Sequence, residues 1–226
     1  MAAGDLLEIK GVNGDISVSL AQGSDVVVTA ESRGRKSDPS TVRIEVVEHS
    51  GGVTLCAVYP DRRGERENYC GVGEDGRMNT RDNDVQVDFH VELPRGVDFA
   101  GRTVNGEVDA RDLESDLVAV TVNGDINVST TGFAEAETVN GSIDARMDAR
   151  DLGRGAKFAT VNGSITVDVA DDIDADIDAS WLNGGFESDL PVMLEGRMSR
   201  RSANGRLGDG GPELELSTVN GSIRIR

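Results

Sequence analysis

The amino-acid sequence predicts an all-β fold: a single-stranded β-solenoid (β-helix) of about seven coils with an irregular β-rich cap at its N-terminal end. Three observations point there. Asn-Gly occurs eight times, nearly always as apolar-Asn-Gly-x-apolar, and from Asn105 onward the spacings are 18, 17, 22, 21, 21 and 16 residues. A period of this size is a signature of stacked repeats. Within each unit apolar and polar residues alternate, which is the period of a strand. The chain has 226 residues but only five Phe, two Tyr and one Trp, so small and β-branched side chains must fill a narrow interior.

The N-terminal part, residues 1–101, has longer and less regular strand patterns, over 6–10, 15–20, 25–31, 41–48, 53–59 and 84–93. The last is a clean alternation, with Val85, Val87, Phe89, Val91 and Leu93 inward and Gln86, Asp88, His90 and Glu92 outward. His49-Ser50-Gly51-Gly52 reads as a tight turn. Residues 60–83 are charged, Gly-rich and poor in apolar residues, and read as a long exposed loop. This region is expected to form first rungs or a cap, since terminal repeats are atypical.

Residues 102–226 divide into coils of 16–22 residues, each carrying its Asn-Gly. The turn positions are Asn13-Gly14, Asn105-Gly106, Asn123-Gly124, Asn140-Gly141, Asn162-Gly163, Asn183-Gly184, Asn204-Gly205 and Asn220-Gly221. Asn-Gly is also the strongest local signal for a type I′ hairpin, so a meander is the competing architecture. Hairpins need two matched strands, whereas the segment before Asn-Gly is often only Thr-Val. An alternation running unbroken through Asn-Gly, with Val161, Gly163, Ile165 and Val167 inward, favours the solenoid. Glycine then sits inward where a side chain would not fit, and asparagine bridges the bend. Right-handed coiling is the default for parallel crossovers.

The formal charge of −18 disfavours nucleic acid and anionic membrane surfaces. It suits a solvated, soluble surface and cationic partners. No apolar run is long enough for a transmembrane helix, and the first residues do not form a signal peptide, so direct membrane insertion is not expected. Cys56 and Cys70, 14 residues apart at a strand end and in the loop, suit one disulfide, with two free thiols as the alternative. With His49 and His90 they have no zinc-site spacing.

The repeated Thr-Val-Asn-Gly-(Asp/Ser)-Ile-x-Val, with the opening Leu7-Glu8-Ile9-Lys10-Gly11-Val12-Asn13-Gly14-Asp15-Ile16, resembles a bacterial family of β-strand-repeat domains of unknown function that carry an adhesin label. The likeness covers nearly the whole chain and is specific for architecture. It implies the solenoid fold and an exported or envelope location, but no catalytic residues. The chain departs from the pattern at Trp181-Leu182-Asn183-Gly184-Gly185-Phe186 and Ser202-Ala203-Asn204-Gly205-Arg206-Leu207, where the coil section should change.

Three constellations are candidates for chemistry. Asp172, Asp174, Asp176 and Asp178 alternate with inward Ile173, Ala175 and Ile177, forming an outward carboxylate row. Carboxylates about 6.6 Å apart cannot share a calcium ion unless a neighbouring coil adds Asp144, Asp148 or Asp151. A solvated acidic face that discourages aggregation is the plainer reading. Thr103, Thr121, Thr138, Thr160 and Thr218 recur two residues before Asn and read as a hydrogen-bonded ladder. Trp181 would anchor a sugar or protein if exposed and is structural if it packs over that ladder.

No nucleophile elbow or phosphate loop is present, and no cofactor is implied. The expected function is therefore a non-catalytic structural or adhesive domain, extracellular or in the cell envelope, whose partner is a surface glycan or protein. A homo-oligomer or filament growing through open solenoid ends is the alternative, because the last coil stops at Ile223-Arg224-Ile225-Arg226 without a cap. An acidic-site carbohydrate-active enzyme ranks last.

Overall fold

The pairings between successive rungs of the described residues are parallel, and antiparallel pairs occur only at the ends of the stack and in one short loop pair. The computed structural model describes residues 1–61, 66–147, 152–194 and 199–226. Among the described residues the strands form two long sheets of eleven and nine members, and one short pair, Tyr69–Cys70 with Gly76–Arg77. Each rung contributes one strand to the first sheet, turns a corner and contributes the next strand to the second sheet. Ala134–Asn140 and Ile143–Met147 form one rung, and Ala156–Asn162 and Ile165–Val169 stack on them in parallel. Parallel neighbours exclude the hairpin meander, in which they would be antiparallel. The only helix among the described residues is a short 3-10 turn, Pro39–Thr41.

Spatial order departs from chain order at both termini. The last rung, Glu213–Asn220 with Ile223–Ile225, inserts between the rung of Thr160 and the rung of Trp181. The first rung, Leu6–Lys10 with Ile16–Leu20, likewise lies between Asp98–Arg102 with Val108–Leu113 on one side and Gly52–Val58 with Gln86–Leu93 on the other. The expectation that the chain's end forms an open solenoid end is therefore corrected. Ile223 and Ile225 are fully buried, with a rung on either side. Antiparallel strands are added at both ends: Ser202–Leu207 and then Met193–Leu194 on the first sheet at one end, Arg43–His49 and Val27–Arg33 at the other. A local periodicity cannot reveal this order, because parallel rungs in register are interchangeable neighbours.

One continuous core runs from Leu7 to Ile225 and is built largely of Ala, Val, Ile and Leu. Val85, Val87, Phe89, Val91 and Leu93 are all buried, as their alternation predicts. The faces around Asn-Gly are not as predicted. Thr160 is buried and Val161 is 39% exposed, while Ile165 and Val167 point in again. The alternation thus breaks at the corner: Val, Asn, Gly and the following residue turn the chain between sheets, and two adjacent side chains must point outward there. Asn204-Gly205 is also corrected. It lies mid-strand in Ser202–Leu207, which pairs antiparallel with Ala175–Asn183, with Gly205 opposite Ile177.

Candidate functional site: the stacked Thr-Val-Asn-Gly corner

Seven Asn-Gly corners lie directly above one another. Their amides form a chain in which each Nδ2 donates to a neighbouring Oδ1: Asn105 to Asn13, Asn123 to Asn105, Asn140 to Asn123, Asn162 to Asn140, Asn220 to Asn162, and Asn183 to Asn220, all at 2.8–2.9 Å. Such a ladder works only with a side chain that both donates and accepts, which is why asparagine recurs. Beneath it a second ladder runs through the buried threonines. Thr103, Thr121, Thr138, Thr160 and Thr218 donate Oγ1 to the carbonyls of Gly14, Gly106, Gly124, Gly141 and Gly163 at 2.8–3.1 Å.

The glycines are required by the stack and not by a lack of room inside. A Cβ added at Gly141 would fall 2.5 Å from the carbonyl carbon of Gly124 and closer still to its oxygen. The same encounter recurs at Gly106, Gly124, Gly163 and Gly221. The Gly141 N–H meanwhile donates to the carbonyl of Asn162 at 3.0 Å, so the backbone also joins the ladder.

What the corner presents outward is an aliphatic row. Val104, Val122, Val139, Val161, Val219 and Leu182 are 36–45% exposed and follow one another in stack order beside the asparagines. Six rungs make a row about 24 Å long. The sequence signal was there, since Val or Leu precedes Asn in each of these repeats, but a strict alternation sent it inward.

The disulfide Cys56–Cys70 is formed, with Cα atoms 5.6 Å apart. It ties the described part of the 60–83 loop onto the outer face of the first sheet; residues 62–65 of that loop lie outside the described residues. Glu8, missed in the sequence reading, is buried beneath it. Its carboxylate accepts from Thr54 Oγ1 at 3.0 Å and the Gly73 N–H at 2.9 Å, and pairs with Arg102 at 3.3 Å and Lys10 at 3.7 Å. Lys10 also donates to the carbonyls of Gly71 and Asp75. A cleft of about 400 Å³ opens here beside Val12 and Val104; of its cations, Lys10 and Arg102 already serve Glu8 and the loop, and Arg77 stands at its edge. The described part of the loop is therefore held at Cys70, as expected, while most of its residues stay exposed.

The other predicted residues do not converge. Asp176 and Asp178 face Arg206 and Asn204 on one side and Glu213 and Glu215 on the other. Asp174 accepts from the Asp209 N–H at 2.8 Å. Asp144 sits in the other sheet, within 3.9 Å of Arg226, while Asp148 and Asp151 lie outside the described residues. Among the described residues no three His, Cys, Asp or Glu side chains are grouped to hold a metal ion. Trp181 occupies the threonine position of its rung, opposite Thr218. It is 6% exposed and stacks on Phe186 with ring centroids 6.1 Å apart, so the anchor reading is corrected: a larger side chain closes the core there.

A family model described as Toastrack DUF4097 matches residues 3–226. No curated protein matches. The crystal structure of a putative cell adhesion protein from Clostridium sporogenes ATCC 15579 is similar with a TM-score of 0.56, over 99% of this chain and 92% of that one, at 13% identity. At that identity the likeness concerns the fold. A putative adhesin from Bacteroides fragilis NCTC 9343 aligns over 97% of this chain and 91% of that one, at 11% identity and a TM-score of 0.37.

Proposed function

The chain belongs to the Toastrack DUF4097 family, and from that premise we propose that it is a non-catalytic structural and adhesive domain of the cell envelope. The observation that carries this reading is how the repeat uses its side chains. The threonine hydroxyls and asparagine amides, the repeat's recurrent polar groups, are engaged in stacking. What remains outward is a straight, uncharged row of aliphatic side chains on a rigid frame. A row of this kind suits display to an extended partner, a surface glycan or protein, better than it suits chemistry on a substrate. The disulfide supports an oxidising compartment, as expected outside the cytosol. Right-handed coiling completes the proposal.

The test replaces Val122, Val139 and Val161 by Lys and measures binding of the fluorescently labelled protein to cell surfaces, glycan arrays and extracellular-matrix proteins. The reading expects a binder for the natural chain and its loss in the triple variant, with an unchanged melting curve. Binding that survives the triple substitution, or no binder on any of these surfaces, overturns it.

A further inference from the structure

The two ends of the stack are finished differently. Beyond the rung of Trp181 a further strand covers the core: Ala203 and Leu207 are buried, and the described sheet edges are short, Met193–Leu194 and Phe186–Ser188, with Met193 59% and Leu194 47% exposed. At the opposite end the edges are Arg43–His49 and Val27–Arg33, seven residues each. Register puts Val46 opposite Leu55, Ile44 opposite Ala57, Val28 opposite Val91 and Ala30 opposite Phe89, on the core-facing side of both sheets. Yet Val46 is 57% exposed, Ile44 is 39% exposed and Ala30 is exposed too. The core is open to solvent here, between two long edge strands. Exposed, long, apolar edges are templates for pairing, and short ones are protected.

We propose that this end is a dimerisation surface whose occupant is a second copy of the chain, docked end to end about a two-fold axis. An axis perpendicular to the sheets sets each edge strand antiparallel to its own copy, so both sheets continue at once and the two open cores close on each other. One axis can serve both edges. Val46 lies over Leu55 and Ile9, and Ala30 lies over Phe89 and Ile16; Ile9 and Ile16 flank the same corner. Centred on Val46, Arg43 meets His49 of the second copy, Ile44 meets Glu48, and Glu45 meets Val47. Centred on Ala30, Val27 meets Arg33, Val28 meets Ser32 and Thr29 meets Glu31. No like charges face each other in either pairing.

Charge also selects this end. The chain carries −18, so copies repel across most faces, but these two strands hold Arg33 and Arg43 against Glu31, Glu45 and Glu48. The end face measures roughly 23 Å by 20 Å, so a dimer would bury on the order of 900 Å² in total. That is at the lower limit for a specific interface, so the dimer should be weak and reversible. Because a two-fold contact uses this same end of both copies, it closes on itself and assembly stops at two.

Sedimentation velocity over a hundredfold concentration range tests this, independently of any ligand for the valine row. The natural chain should pass from monomer to dimer and no further. Val46→Lys with Ala30→Lys should stay monomeric with an unchanged melting curve, and Leu194→Lys at the other end should still dimerise. Val46→Cys should give a covalent dimer under mild oxidation, since each Val46 meets its copy on the axis. A monomer at every concentration, growth beyond two copies, or a dimer that survives the lysine pair would overturn the proposal.

Discussion

Replacing Gly141 by Ala adds one methyl group to a half-buried corner, and the structure makes it one of the most damaging small changes available. The new Cβ would lie 2.5 Å from the Gly124 carbonyl carbon. Restoring an ordinary carbon–carbon contact requires the two rungs to part by about 1 Å. The hydrogen bonds that tie the rungs around that point include four that such a separation would stretch. Gly124 N–H donates to Asn140 O at 3.0 Å, Ile126 N–H to Ser142 O at 2.9 Å, Asn140 Nδ2 to Asn123 Oδ1 at 2.8 Å and Thr138 Oγ1 to Gly124 O at 3.0 Å. At about 1 kcal/mol net for each, the substitution should destabilise by about 3–4 kcal/mol. The control is Gly185→Ala, where the added methyl meets open space and the expected change is within about 1 kcal/mol. Urea unfolding followed by circular dichroism measures both, at slopes of about 2 kcal/mol per molar urea, so the midpoint of Gly141→Ala should fall by more than about 1 M. A loss below about 1 kcal/mol, or equal losses for the two variants, would refute the stacked-corner reasoning.

Three further outcomes follow from the same structure. Asn-Gly deamidates when the glycine nitrogen attacks the asparagine side chain, and Gly14, Gly106, Gly124, Gly141, Gly163 and Gly221 each donate that N–H to the next rung; Gly184, in the outermost corner, has no such acceptor among the described residues, so peptide mapping after mildly alkaline ageing should find Asn183 modified before any interior ladder asparagine. Burial, then the neighbouring Asp116 carboxylate, raises the Asp98 pKa above its ordinary 3.8, against a backbone hydrogen bond that lowers it. Such an acid favours the folded state only while protonated, and that contribution is lost as pH rises through the raised value. Asp98→Asn should therefore stabilise the protein at neutral pH, an advantage that shrinks as pH falls toward 3.8; urea midpoints against pH read this, and a net loss at neutral pH would contradict it. Replacing Cys56 and Cys70 by Ser should cost about 3 kcal/mol by loop closure, measured as a lower melting temperature that reductant reproduces in the natural chain.

Much of the fold was legible because one short signal repeats. Asn-Gly at a period near 20 marked the corners, and the alternation of Val85 to Leu93 marked a strand whose inward face is buried throughout. Three things were not legible, each for a physical reason. Asn204-Gly205 carries the same dipeptide as the corners, but its role depends on the partner strand Ala175–Asn183, which local sequence does not name. The valines before Asn are apolar and so were assigned inward, although a corner must turn two consecutive side chains out. Glu8 carries no signal in the repeat; its burial comes from the disulfide-tied loop packed over it. The carboxylate row was read correctly as outward, and the rungs beside it supply further acids and Arg206, not a converging ligand set.

The central claim is that the last rung lies inside the stack, between the rungs of Thr160 and Trp181. Pairwise cysteine cross-linking with a short thiol reagent tests it most directly. The Ser222 N–H donates to Ser164 Oγ at 3.2 Å, and the Ile223 N–H donates to Gly185 O at 2.9 Å. Ser164→Cys with Ser222→Cys should therefore cross-link rapidly in the folded protein, while Ser164→Cys with Gly185→Cys, a full rung farther apart, should not. A rapid link between positions 164 and 185 with none between 164 and 222 would mean that the rungs stack in chain order, and the account given for both ends of the molecule would fall with it.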